Sequence, residues 1–150
     1  MKRPSNEMKL TFPSRSANEA FARSAVASFL SQLDPAVDEL ADLRTAVSEA
    51  VTNCIVHAYR DTIGSITIRM RLYDDGRTVI KISDRGCGIP DVSQAMEPLY
   101  TTGGDDRSGL GFSVMESFTD HLRVSSRLGK GTTVTMEKYI AVRGRRQGDT

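Results

Sequence analysis

Tryptophan is absent from the chain, and cysteine occurs only twice, as Cys54 and Cys87. Two cysteines without metal-ligand spacing give neither a zinc site nor a disulfide framework, so a reducing cytosol is the expected setting and the localisation expected is cytoplasmic. No apolar run approaches the roughly 18 residues that span a bilayer. The basic start, Met1-Lys2-Arg3-Pro4-Ser5-Asn6, has no apolar segment behind it, so it does not read as a signal peptide. Charge of either sign is also lacking in excess: the net value is +1, which gives no global pull towards nucleic acid or an anionic membrane, and neither is expected as a direct partner. No repeat and no low-complexity segment is present. What is there, 150 residues of which 39% are hydrophobic, suits one domain with a genuine core. Its ordered part should run over about 8–140, with 143–150 a frayed basic-polar tail.

Periodicity places the elements. Met8, Leu10 and Phe12 alternate with polar residues, a short strand ended by Pro13. Ser16 with Glu19 reads as a capping box, opening a helix whose apolar stripe is Phe21, Ala25, Phe29 and Leu33. Asp34-Pro35 is expected to stop it and to cap a second helix reaching Tyr59. Ile66, Ile68, Met70 and Leu72 alternate with Thr67, Arg69 and Arg71, a strand over 65–73. Asp75-Gly76 then turns the chain into a strand over 78–83. Residues 84–102 lose periodicity apart from at most a short helix over 91–96. The stretch 103–109 is flexible by composition. A third helix over 110–121, with Leu110, Val114 and Phe118 on one face, precedes a hairpin of strands 122–128 and 132–140. The order β-α-α-β-β-loop-α-β-β implies an α+β two-layer sandwich. Its sheet should be mixed but mostly antiparallel, covered on one face by helices.

Within the second helix Glu49, Asn53 and His57 stand four residues apart. Each step advances only ~40° around a helix of 3.6 residues per turn, so the three form a ridge. The apolar set Leu40, Leu43, Val47, Val51, Cys54 and Ala58 occupies a different side. Three glycine pairs follow: Asp84-x-Gly86-x-Gly88 after a buried strand, Gly109-x-Gly111 at a helix start, and Gly129-x-Gly131 in the last hairpin. A glycine pair opening a helix lets backbone N–H groups approach a phosphate. An aspartate at a strand end can accept a hydrogen bond from an exocyclic amine such as adenine offers. For Gly129 and Gly131 an ordinary turn is the equal alternative. Gly129-Lys130 is followed by glycine, so this is no Walker A loop, and no Gly-x-Gly-x-x-Gly follows a first strand.

The ordered set Glu-x3-Asn-x3-His, Asp-x-Gly-x-Gly, Gly-x-Gly and Gly-x-Gly-Thr, spanning Glu49 to Thr132, resembles the boxes of the GHKL (Bergerat-type) ATPase/kinase superfamily, to which gyrase and histidine kinases belong. Ser48-Glu49-Ala50-Val51-Thr52-Asn53, Pro98-Leu99-Tyr100-Thr101-Thr102 and Arg107-Ser108-Gly109-Leu110-Gly111-Phe112 are similar to the small anti-sigma-factor serine kinases. Arg15-Ser16-x-Asn18-Glu19-x-Phe21-Ala22-Arg23 and Leu33-Asp34-Pro35 resemble the sporulation anti-sigma-F branch in particular.

That resemblance implies the GHKL fold, ATP or ADP as bound nucleotide and Mg²⁺ as its ion. It implies that Asn53 is the metal ligand, Glu49 the general base that deprotonates a serine hydroxyl, and Asp84 the acceptor of the adenine amine, with Gly86 and Gly88 giving close access. Thr132 would support that end of the pocket. Thr101, Thr102, Ser108, Gly109, Leu110 and Gly111 would close over the phosphates, and Arg107 would stabilise charge on the transferred group. Where relatives carry a lysine after the threonine pair, this chain has Gly103-Gly104. The partners implied are a sigma-F-type sigma factor, an anti-anti-sigma protein substrate and a second copy in a homodimer, with Arg23 as a partner contact. His57 is either an orienting group or a packed residue. Cys54 reads as a spectator, and so does Cys87, although Cys87 lies between pocket glycines. A sister kinase of a general-stress sigma factor, or a module that binds ATP without transferring phosphate, are the alternative readings.

Overall fold

Alternation builds the sheet. In β2 (Ser65–Leu72) Ile66, Ile68, Met70 and Leu72 are buried while Arg69 and Arg71 are exposed, the period-two signature of a strand covered on one face. β3 (Arg77–Asp84) repeats it with Thr78, Ile80, Ile82 and Asp84 inward. Between them Gly76 takes a left-handed φ of 94° and donates its N–H to Tyr73 O at 2.9 Å. β1 (Asn6–Pro13) pairs with β2, and β4 (His121–Arg127) forms a hairpin with β5 (Gly131–Tyr139). β5 inserts beside β3, giving the order β1-β2-β3-β5-β4. The computed structural model describes residues 3–97 and 111–141. Among them every strand pair is antiparallel. The expected α+β sandwich is present, and the anticipated mixed sheet is a purely antiparallel one. Hairpins join β2 to β3 and β4 to β5, while the helical excursion after β1 brings the chain back into β2 at the same end of the sheet, Ser65 opposite Pro13.

The helices lie on one face. α1 (Asn18–Leu30) fully buries Ala22, Val26 and Leu30; of the expected stripe, Phe29 and Leu33 pack partly against the core, while Ala25 is half-buried and Phe21 is exposed. The small Ala22 lets the helix lie close to its neighbour, and Phe21 stays half exposed at the margin, its ring edge-on to Phe12 at 6.3 Å. Ser16 does not cap: Ala17 holds the N-cap position, and Glu19 turns its carboxylate towards the next helix. Residues Ser31–Leu33 tighten into a 3-10 turn that Asp34 ends in the left-handed region, φ 52°. Proline disfavours helical backbone in the residue before it, so Asp34 turns the chain rather than capping. α2 (Val37–Asn53) starts later than expected, with Ala36 at its N-cap and the Ala36 N–H donating to Glu39 Oε1 at 2.8 Å.

α2 buries Leu43, Ala46, Val47, Ala50 and Val51 and continues into a π turn, Cys54–Ala58, closed by Tyr59 N–H to Cys54 O at 3.1 Å. The expected helix to Tyr59 is therefore there, with its last turn widened. α3 (Val92–Ala95) is a single turn capped by the Asp91 carboxylate. α4 (Phe112–Ser117) is shorter than predicted, because His121 already belongs to β4 and Asp120 N–H bonds to Glu137 O. Phe112 and Met115 anchor it in the core, and Val114 and Phe118 pack only partly. Among the described residues no helix is long and apolar enough to cross a membrane.

Candidate nucleotide site

Asp84 ends β3 on its inward side, where hydrophobic neighbours would normally continue, and it is 9% exposed. A buried carboxylate needs donors. Oδ1 accepts the Gly86 N–H at 2.8 Å and the Thr132 N–H at 3.2 Å, and the Cys54 thiol, buried on α2, also bonds to the carboxylate. Burial and, next, the Asp84 charge push the Cys54 thiol well above its ordinary range, so it stays protonated and donates. Cys54 is thus no spectator. Its position on the apolar side of α2 was legible, but nothing local in the sequence pairs it with a strand end thirty residues on.

Asp84 floors a cleft of about 270 Å³ between α2, the loop after β3 and the start of β5. Asn53 and His57 from the ridge, Gly88 and Ile89 from the loop, and Thr132 from β5 line it. Burial, then the Arg60 charge, lowers the His57 pKa, which keeps the ring neutral near pH 7. Gly88 has φ +81°, and a side chain there would strike the Arg127 carbonyl of the last hairpin. At Gly86 a side chain would instead strike the Ala58 carbonyl. Protein backbone therefore fills the space these glycines leave, and they hold the loop tight against α2 and the hairpin. Ser126, which sequence patterns did not single out, completes this end: its hydroxyl accepts Ile89 N–H at 2.8 Å and lies 2.8 Å from Thr132 Oγ1.

Glu49, one turn before Asn53, borders a second hollow of about 280 Å³ between α1 and α2, with Arg23, Arg44, Thr45 and Ser48 around it. Ser48 donates to Glu19 Oε2 at 2.5 Å. Burial, and then the Glu19 charge, raises the Glu49 pKa, moving the carboxylate towards the basicity that proton abstraction near neutrality requires. Gly111, the N-cap of α4 at φ 70°, packs on Glu49: a side chain there would collide with Oε1. Arg23 is not a freely solvated arginine. Its Nε is buried with no hydrogen-bond partner, 3.8 Å from Glu19 Oε2, an ion-pair but not a hydrogen-bond distance.

Thus Asn53, His57, Asp84, Gly88 and Thr132 share one cleft, with Gly86 behind it, while Glu49 borders the second hollow with Arg23 and packs against Gly111. Thr101, Thr102, Arg107, Ser108, Gly109 and Leu110, all but the first two residues of the stretch 96–106 expected to form an ATP lid, and the tail 143–150 lie outside the described residues. No cluster of histidine, cysteine, aspartate or glutamate among the described residues could hold a metal by itself. The Asn53 carboxamide offers one hard oxygen, which fits Mg²⁺ carried mainly by substrate phosphates rather than an all-protein cage.

Residues 12–138 match the histidine kinase-like ATPase domain family. An anti-sigma F factor of Caldanaerobacter subterraneus subsp. tengcongensis is 55% identical over 136 residues, covering 90% of this chain and 94% of that protein. Anti-sigma F factors of Clostridium botulinum and Geobacillus kaustophilus are 54% and 48% identical, each covering 91% of this chain and 96% and 94% of the relative. Among solved structures, the RsbU and RsbW domains of a Mycobacterium tuberculosis protein superpose with a TM-score of 0.68 at 20% identity, over 91% of this chain and 33% of that one. The histidine kinase domain of an Erythrobacter litoralis blue-light activated histidine kinase gives 0.55 at 20% identity, over 87% and 63%. With its buried aspartate, its glycine loops and a helix ridge on the cleft wall, the chain belongs to the anti-sigma F factor family of histidine kinase-like ATPase domains.

Proposed function

We propose that this protein is an anti-sigma factor that sequesters a sigma-F-type sigma factor and, as a kinase using ATP with Mg²⁺, phosphorylates a serine of a competing anti-anti-sigma protein. The observation that carries the reading is the adjacency of two hollows along one helix: Asn53 lines the one floored by Asp84, and Glu49, one turn earlier, borders the one lined by Arg23 and Arg44. Nucleotide enters the first and the partner's serine approaches through the second. Asp84 accepts the adenine amine, and its two backbone donors hold the carboxylate in place for that bond. Asn53 would hold the Mg²⁺, which supplies charge neutralisation at the phosphates. Glu49 takes the proton of the seryl hydroxyl, its basicity raised by burial and by Glu19. Gly111 backs that carboxylate, and Thr101, Thr102, Ser108, Gly109 and Leu110 would close over the phosphates, with Arg107 at the transferred group.

The chain works as one domain in the cytosol and pairs with a second copy. ATP or ADP in the cleft biases which partner is held through differential affinity, with Arg23 on α1 contacting both. The test is phosphotransfer from Mg-ATP to the candidate anti-anti-sigma protein of the same cell. Glu49→Gln should keep nucleotide affinity and lose transfer. An unlabelled partner with the native protein, or undiminished transfer by the variant, defeats the kinase reading.

A further inference from the structure

The sheet face turned away from the helices carries a charge pattern that the nucleotide site does not use. Strand register lines up Lys9, Arg69, Lys81, Thr135 and Arg123 in one row across all five strands. The four cations are exposed, and among the described residues none has a carboxylate partner. The adjacent row is all hydroxyl: Thr11, Thr67, Ser83, Thr133 and Ser125, with Thr11 and Thr67 3.1 Å apart and Ser83 and Thr133 3.2 Å apart. On the other side Glu7 pairs with Arg71, and Glu137 pairs with Arg77. Uncompensated charge therefore collects in a single line. With strands about 4.8 Å apart, Lys9, Arg69 and Lys81 fall within about 10 Å and Arg123 lies about 19 Å from Lys9. Like charges directly opposite across strands are destabilising, and the neighbouring row shows the alternative of mixed signs.

We propose that this face docks an acidic segment of a protein partner, its carboxylates lying along the Lys9–Arg69–Lys81–Arg123 row and its backbone meeting the hydroxyl row. Charge complementarity selects the occupant. Nucleic acid fits less well: these rows contain no aromatic side chain on which a base could stack, and a chain of net charge +1 lacks the long-range field that collects polyphosphate. A second copy of this chain would bring two cationic rows together. The site stands apart from the kinase reading, because the cleft lies on the helix-covered side of the sheet.

The experiment titrates the full, isotope-labelled chain with a hexaglutamate peptide at low ionic strength, following backbone amide shifts. Shifts should centre on β1, β2, β3 and β4. R69S/K81S should bind roughly tenfold more weakly, with ATP affinity and melting temperature unchanged, while R15S/K130S, which removes the same charge elsewhere, should bind as the native chain does. Equal loss in both variants, undiminished binding by R69S/K81S, or shifts centred on the helices overturns the proposal. So does tighter binding of an oligothymidylate of equal charge, or self-association through this face in sedimentation.

Discussion

Replacing Asp84 with asparagine separates its two tasks. In the native chain Oδ1 accepts from Gly86 and Thr132, and the carboxylate also accepts from the Cys54 thiol and, in the proposed complex, from the adenine amine. An asparagine oxygen can keep the two backbone donors, but its amide then faces thiol and adenine as donor against donor. A hydrogen bond to a charged group contributes about 1.5–3 kcal/mol, so the variant should lose roughly 10- to 150-fold in ATP affinity. GTP, which presents a carbonyl oxygen at the same ring position, should lose less. Alanine is the blunter change: it leaves two half-buried backbone N–H groups without their acceptor, at up to about 1–3 kcal/mol each against a typical 5–15 kcal/mol stability. Calorimetric titration with ATP and GTP beside urea unfolding reads both effects. If Asp84→Asn binds ATP within about twofold of native and the ATP-to-GTP ratio holds, Asp84 only buttresses the loop and the adenine assignment is wrong.

Two further outcomes follow from the same geometry. Glu19→Gln removes the charge that adds to burial in raising the Glu49 pKa, so the acid limb of the kcat/KM profile should move to lower pH, because the base stays deprotonated further down; an unmoved limb would show that Glu19 does not tune it. Ile68→Ala, in the middle of β2 and fully buried, should cost about 2–5 kcal/mol in urea unfolding, and a loss below about 1 kcal/mol would contradict the packing described.

The strands were legible because burial on one face imposes alternation residue by residue, and Ile66 through Leu72 obey it without exception. The chemistry was legible where spacing is local: Asn53 and His57 share a helix face, and Gly86 and Gly88 flank one turn. What escaped depends on contacts between distant segments. The stripe on α1 moved by one residue because Ala22 permits a close helix approach that no single-helix pattern encodes. Asp34 loses the cap to Ala36 because Glu39 reaches back to it. Cys54 and Ser126 acquired roles only when β3 and the last hairpin met α2.

The widened turn at the end of α2 has a consequence for how such a chain can change over generations. Its carbonyls grip the loop after β3: His57 O accepts from Cys87 Sγ at 3.3 Å, and Ala58 O accepts the Cys87 N–H at 3.2 Å, although the segments are thirty residues apart in sequence. Deleting one residue from Cys54–Ala58 would swing those carbonyls by about 100° and release the loop. A length change in either segment should therefore be tolerated best when a matching change in the other restores the two Cys87 contacts.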